Sequence, residues 1–320
     1  MRHGPPAANA PQGIAMFIRV LGSAAGGGFP QWNCNCTNCQ AVRADEPGFL
    51  RRTQSSIAVS ATGRRWTLVN ASPDILQQFQ AFPGSWPADG LRGCGVESVV
   101  LVDAQIDHTT GLYMLREKGS PWPIWTTDPV YEDLTRGNPI LHLLEHYCGV
   151  DRQPIPDDGR HFHPQGAESL DWQALPLVSA APPYSPHRGA PVPGDNVGLV
   201  IADPATGRRV FYAPGLAEID EALFATMASS DCVMVDGTFW TDDEMIAMGL
   251  SKKRARDIGH LAQSGPGGMI EQLARLPRHV RRILIHINNT NPILDEGSTE
   301  RAILTAAGIE VAYDGMEIEL

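Results

Sequence analysis

The chain reads as an α/β protein of the α+β kind, with two β-sheets and helices on their outer sides. Three observations carry this reading. Short β-branched and apolar runs arrive in groups with helical patterns between the groups, an order that fits two packed sheets better than one doubly wound sheet. At residues 98–116 the apolar run Ser98-Val-Val-Leu-Val102 passes into Asp103-Ala-Gln-Ile-Asp-His108 and then into a helical pattern. Polar side chains therefore collect where a strand hands over to a helix. Neither an internal repeat nor a long low-complexity segment interrupts the alternation.

The elements follow in order. Residues 1–15 are rich in Ala, Pro and Gly and read as a disordered extension, so the single domain is expected over 16–320. Strands are expected at Phe17–Leu21, Ser56–Ser60, Trp66–Asn70, Ser98–Val102, Pro123–Trp125, Val197–Ile201, Val210–Tyr212, Cys232–Val235, Ile283–His286, Glu310–Tyr313 and Glu317–Leu320. Helices are expected at Pro73–Phe79, Thr109–Arg116, Val130–Leu134, Leu141–Tyr147, Leu216–Met227, Gly268–Arg275 and Thr299–Ala307. Residues 151–193 are rich in Pro, Gly and Asp and read as a long loop or a lid, a feature that in compact domains is usually functional or mobile.

Composition narrows the function. With 320 residues, 42% of them hydrophobic, the chain can bury a sizeable core. A net charge of −11 argues against nucleic acid or an anionic membrane surface as a partner. No apolar run approaches the roughly 20 residues of a membrane-spanning helix. The start lacks the apolar stretch of a secretory signal. Three of the six cysteines, Cys34, Cys36 and Cys39, fall within one short segment. In a chain with no export signal this crowding suits a metal better than disulfides and points to the cytoplasm.

Several groups of residues carry chemistry. Cys34-Asn-Cys-Thr-Asn-Cys39 offers three thiolates that can turn around one tetrahedral Zn(II), a closed and structural site, with Asn289 as a candidate fourth ligand. Three free thiols are the plainer alternative. Asp103, Asp107 and His108 stand at the strand-to-helix turn, where Asp107 could equally be a helix cap. His286 ends an apolar strand and could be a core histidine. Gly26-Gly-Gly-Phe-Pro-Gln-Trp32 is either a substrate-lining loop, with Gly28 and Trp32 as contacts, or a turn into the cysteines. In Tyr184-Ser-Pro-His-Arg188, Arg188 could hold a substrate carboxylate and His187 could orient substrate or move a proton. Lys252-Lys-Arg-Ala-Arg256 reads as a solvated basic face.

These stretches, together with Asn70-Ala-Ser-Pro-Asp-Ile75, Tyr212-Ala-Pro-Gly-Leu216, Gly259-His-Leu-Ala-Gln263 and Ile285-His-Ile-Asn-Asn-Thr290, resemble the pyrroloquinoline quinone (PQQ) biosynthesis protein B family of the metallo-β-lactamase superfamily. The resemblance spans about Met16 to Leu320. It implies an αββα four-layer sandwich. The usual His-x-His-x-Asp-His motif of that superfamily is represented here by Asp103, Gln105, Asp107 and His108, and its bridging Asp falls at Ala213 or Pro214. One metal is then favoured over two, since two dications need a shared carboxylate. Asp107, His108 and His286, with Asp103 as the least secure member, form a set that suits non-haem Fe(II), although Zn(II) would also fit it.

The resemblance further implies a hydroxylase that uses Fe(II) and dioxygen on the tyrosine ring of a cross-linked Glu–Tyr dipeptide. His260 would relay protons, and Arg188 or, less well, Arg52 would meet the substrate's carboxylates. The alternatives are a non-catalytic carrier of a PQQ-related quinone and a metal-dependent hydrolase. A homodimer is the candidate assembly.

Overall fold

The computed structural model describes residues 16–320, and the extension expected over 1–15 lies outside them. The first half of the chain supplies β1 (Phe17–Gly22), β2 (Ser56–Ser60), β3 (Trp66–Val69), β4 (Val96–Val100), β5 (Trp122–Thr126) and β6 (Val150–Pro154). The second supplies β7 (Asp171–Pro176), β8 (Val197–Ala202), β9 (Arg209–Ala213), β10 (Cys232–Asp236), β11 (Arg281–Ile285) and β12 (Ile309–Val311). The last strand, β13 (Glu317–Glu319), returns to the edge of the first sheet. The sheet orders are β13-β1-β2-β3-β4-β5-β6 and β12-β11-β10-β9-β8-β7. Each sheet is antiparallel at its start and parallel from its third strand in chain order onward, except that β13 pairs antiparallel with β1.

Helices lie outside the sheets. They are α1 (Thr37–Arg43), α2 (Ile75–Gln80), α3 (Ile106–Thr109), α4 (Asp128–Glu132), α5 (Ile140–Leu144), α6 (Glu221–Ala228), α7 (Glu244–Ala247), α8 (Met269–Ala274) and α9 (Thr299–Ala306). Side-chain alternation explains the layering. In β10, Cys232 and Met234 point into the core between the sheets, while Val233 and Val235 point into a second core under α6, α8 and α9. A strand buried on both faces must be apolar throughout, which is why this run reads as continuous in the sequence. A third core joins the first sheet to α2, α4 and α5 through Ile75, Val130, Leu141 and Leu144. Three cores between four layers give the expected αββα sandwich. Among the described residues no helix is long and apolar enough to cross a membrane.

Several expected elements are corrected. The stretch 151–193 is not one loop: it holds most of β6 and all of β7. In β7, Trp172 and Ala174 fill the inter-sheet core while Asp171 and Gln173 are only half-buried, a short alternation hidden among Pro, Gly and Asp. The helix expected at Thr109–Arg116 is instead α3 followed by a tighter turn over Thr110–Tyr113. The helix expected from Leu216 starts at Glu221, because Asp220 Oδ1 accepts the Leu223 N–H at 2.7 Å and caps it. The helix expected at Val130–Leu134 starts earlier, where Thr127 accepts from Val130, and passes into a wide π-turn at Asp133–Gly137. The short α1 and α7 were not expected.

Gly111 fixes how the strand-to-helix turn sits. A Cβ there would lie 2.2 Å from the Ser72 carbonyl oxygen and 2.7 Å from that of Ala71. We expect Gly111→Val to destabilise the fold by about 2–3 kcal/mol through forced backbone shifts. Urea unfolding followed by circular dichroism reads this, and an unchanged midpoint would contradict the close approach.

Candidate metal centre

The site forms where strands end. After β4 the chain runs through buried Leu101 and Val102, and Asp103 makes an isolated bridge to Asn196. Asp103 is 5% exposed, and both of its oxygens lie 2.8 Å from Nδ1 of His108. Oδ1 also accepts the Gln105 N–H at 2.8 Å. Nδ1–H of His108 is thereby committed to the carboxylate, and the Nε2 lone pair faces the other way. That Nε2 is buried and has no hydrogen-bond partner. It lies 3.8 Å from Asp107 Oδ2, which is 3.2 Å from His286 Nε2.

His286 follows β11 and adopts a left-handed backbone with φ of 62°. A branched or aromatic residue takes this conformation only when its surroundings impose it. The Thr238 hydroxyl donates to the His286 carbonyl at 2.9 Å, so its oxygen can accept from His286 Nδ1–H, also at 2.9 Å. This arrangement leaves Nε2 of His286 as a lone pair as well. A third imidazole, His260, stacks on His286 with ring centroids 5.4 Å apart. Its Nδ1 lies 2.6 Å from Oδ2 of Asp236, the fully buried last residue of β10.

The charges support one another. Burial works against protonation of His108, but the carboxylates of Asp103 and Asp107 outweigh it and push its pKa up to about 9. Burial also resists ionisation of Asp107, yet the proximity of His108 and His286 holds its carboxyl well below the usual range. For His260 burial is opposed by Asp236, and the balance raises its pKa.

Two sets of three ligand atoms lie within 4.8 Å of one another: Asp107, His108 and His286, and Asp236, His260 and His286. The first set fits a divalent cation, because the orphaned Nε2 of His108 needs a partner and the donors are two imidazoles and a carboxylate. Asp103 is in neither set; it stands behind His108.

The three cysteine sulfurs are likewise within 4.8 Å of one another. The Asn289 side-chain amide caps them, with Nδ2 at 3.1 Å from Cys34, 3.6 Å from Cys36 and 3.4 Å from Cys39 Sγ. Rotating that amide puts Oδ1 in the same corner, so four donors fit one tetrahedral ion. Burial pushes the Cys39 thiol up to about 11, a proton that a bound metal must displace.

Other expected contacts fall elsewhere. Arg188 donates to the Ala181 carbonyl within its own loop. His187 lies 2.9 Å from Asp195 Oδ1 and 3.6 Å from Glu132 Oε2. Gly28 has φ of 70° and backs onto the Arg52 carbonyl, whereas a Cβ on Gly26 would be 3.2 Å from Asp107 Oδ2. Trp32 is 86% exposed. Arg52 is buried and donates to Ser23 and the Ala312 carbonyl. The loop carrying His187 and Arg188 does lie against the site, since Gln105 Nε2 donates to the Ala180 carbonyl at 3.0 Å and Ser179 to that of Gly259 at 3.0 Å. Asp236 and Thr238 were not singled out from the sequence, although they sit together in Met234-Val-Asp-Gly-Thr238.

Comparison with known proteins agrees with this architecture. Residues 65–287 match the model of the beta-lactamase superfamily domain. Coenzyme PQQ synthesis protein B of Methylobacillus flagellatus is 60% identical over 306 residues, covering 95% of this chain and 100% of that protein. The crystal structure of Zn(2+)-bound PqqB from Methylobacterium extorquens matches with a TM-score of 0.86 at 37% identity, over 95% of this chain and 100% of that one. A diphosphatase of the PhnP family shares the fold, with a TM-score of 0.67 at 16% identity over 95% of this chain and 98% of that one. The chain belongs to the beta-lactamase superfamily and, within it, to the coenzyme PQQ synthesis protein B family.

Two outcomes test the geometry. Asp103→Asn should weaken metal binding at the histidine site about 10–100-fold while leaving the fold intact, as loss of a group that orients a ligand does. Competition with a chromophoric chelator measures it, and unchanged affinity would show that Asp103 does not hold His108. Cys36→Ser should release the metal of the cysteine site and lower the melting temperature; metal analysis alongside calorimetry reads both, and a metal-free variant of parental stability would remove the structural role.

Proposed function

We propose that this chain acts in the synthesis of the coenzyme PQQ as an iron-dependent hydroxylase that uses dioxygen on the tyrosine ring of a cross-linked Glu–Tyr precursor. One observation carries the reading. Two imidazole Nε2 atoms and one carboxylate oxygen converge, while the side chains at the other two positions of the dinuclear motif turn away: Asp103 to His108 and Gln105 to the Ala180 carbonyl. Together with Ala213 and Pro214 at the bridging position, this favours a single ion. Two histidines and one carboxylate with open positions are the ligand set of non-haem Fe(II) oxygenases.

Asp107, His108 and His286 would hold the ferrous ion, whose redox chemistry is what activates dioxygen. The remaining steps belong to the protein. Asp103 and Thr238 fix the ring orientations of His108 and His286. His260, held by Asp236 through Nδ1, keeps Nε2 as its free nitrogen on a side chain 16% exposed. It is placed to take the phenolic proton of the substrate as general base. The loop carrying Ala180 and Tyr184 covers the turn at Ala104 and Gln105 and limits the access of water. A second metal at the cysteines, Zn(II) by its donor set, would be structural.

Anaerobic reconstitution with iron, followed by oxygen uptake in the presence of the cross-linked dipeptide, tests the proposal. The expected result is oxygen consumption coupled to ring hydroxylation. Ester or phosphodiester cleavage by the zinc form, or tight quinone binding without turnover, would overturn it. His260→Ala should lower kcat about 100- to 10,000-fold with iron content retained and the acidic limb of the pH profile altered. Parental kcat in that variant would remove His260 from the proton path.

A further inference from the structure

A second concave surface lies on the face formed by the cysteine loop and α7. It is a cavity of about 480 Å³ lined by Gln31, Cys34, Cys36, Met245, Met248 and Leu250, among others. No residue of the histidine cluster lines it. Around it stand apolar side chains in water: Trp32 is 86% exposed, Leu250 51%, Met248 44% and Ile246 40%. Single exposed apolar residues need no explanation, but Met248 and Leu250 line the cavity, and Trp32 and Ile246 adjoin lining residues in the chain, a grouping that marks an interaction surface. Trp and Met are also enriched at the centres of protein interfaces.

The lining of this cavity lacks the negative charge that dominates the molecule, although Asp243, just before α7, is an exposed carboxylate in the same segment. The chain carries −11 overall, yet no carboxylate lines the cavity. Arg254 and Arg256 are both spent on Asp242, which fixes the turn after α7. Lys252 and Lys253, two and three residues beyond Leu250, are exposed and have no ion-pair partner among the described residues. Arg43 donates to the carbonyls of Cys34 and Gln31, both at 2.6 Å, and so adds a cation on the cysteine side without a carboxylate of its own. A groove that mixes Met and Leu side chains with the amides of Gln31, Asn33, Asn35 and Asn289, next to Lys252 and Lys253, calls for an occupant that is apolar on one side and acidic on the other. A small molecule would fill the cavity and leave Trp32 and Ile246 in water. An anionic membrane would be repelled by the rest of the surface.

We propose that this groove docks an acidic, amphipathic segment of a partner protein, with Trp32, Met248 and Leu250 as the apolar contacts and Lys252 and Lys253 pairing with its carboxylates. The surface is independent of the reaction assigned above, so the test needs no turnover. The probe is a fluorescent helical peptide with leucines along one face and glutamates along the other, compared with a peptide carrying lysines in place of the glutamates. We expect the acidic peptide to bind with a Kd of about 1–10 μM and the basic peptide at least about 10-fold more weakly. Trp32→Ala and the pair Lys252→Glu with Lys253→Glu should each weaken the acidic peptide about 10-fold or more, and only the lysine pair should flatten the salt dependence. Both positions are exposed, so an unchanged melting temperature certifies the fold of each variant. Failure of the acidic peptide to bind, or binding by both variants as tight as that of the parent chain, would overturn the proposal. Trp32-dependent binding to phosphatidylserine vesicles in place of the peptide would overturn it in favour of a lipid surface. A dimer dissolved by Trp32→Ala, with no peptide binding, would overturn it in favour of a second copy of the chain.

Discussion

The site depends on one constraint: three imidazoles are packed together, two of them buried, and each has its Nδ1 engaged by a neighbouring side chain. His108 is held by Asp103, His286 by Thr238 and His260 by Asp236. Taking a charge out of water is costly unless it is paired and hydrogen-bonded. Asp103 and Asp236 meet that requirement for His108 and His260. The Nε2 atoms are left free of these partners, and under the proposed function two would serve as ligands and one as a base. A histidine offers only one ring nitrogen at a time to a metal, so the outer partners decide which. The left-handed backbone of His286, at about 1–2 kcal/mol for a residue with a Cβ, is the strain that aims its ring at this point.

The sandwich delivers these residues because they lie at the carboxyl ends of parallel strands. Asp236 ends β10 and His286 follows β11, while Asp107 and His108 follow β4. In open sheets ligands gather at that end, where loops are free of the ladder and helices begin. The two halves of the molecule contribute from facing sheets, so the distance of 3.2 Å between Asp107 and His286, 179 residues apart, is set by the inter-sheet core. Tyr212, Met234 and Ile285 from one sheet meet Val69, Val100 and Val102 from the other there.

The two-sheet plan was legible because strands buried on both faces leave continuous apolar runs, as at Val197 and Cys232. β7 was not, since its inward residues are only Trp172 and Ala174 and its neighbours are turn formers. Asp107, His108, His286 and the three cysteines, which the structure gathers into two clusters, could be picked out because such residues stand in short local patterns. Asp236 could not be separated from a polar residue that ends a strand. The orientation of Asp103 toward His108 is a matter of side-chain direction, and a residue pattern carries no direction. Arg188 looked like a free fork for a carboxylate, and nothing in the sequence shows that its donor is taken by the Ala181 carbonyl of the same loop.

The cysteine site and the histidine site are joined by the four-residue segment His286-Ile-Asn-Asn289. His286 and Asn289 are three residues apart, and the backbone between them is tied on every side. Ile287 exchanges hydrogen bonds with Ser23 and Ala25 at the end of β1, each 2.9 Å. Asn38, on α1 between the cysteines, donates to the carbonyls of Asn289 at 3.1 Å and Asn291 at 2.9 Å. Asn291 in turn donates to the carbonyls of Gly237 at 3.0 Å and Thr238 at 3.2 Å. Thr238 is the residue that orients His286, so the circuit closes. A structural ion at the cysteines would therefore act at a distance without touching the chemistry. By holding Asn289 it restrains the one stretch of backbone that keeps His286 in its unfavourable conformation, and this gives a physical reason for a closed thiolate site beside an open one.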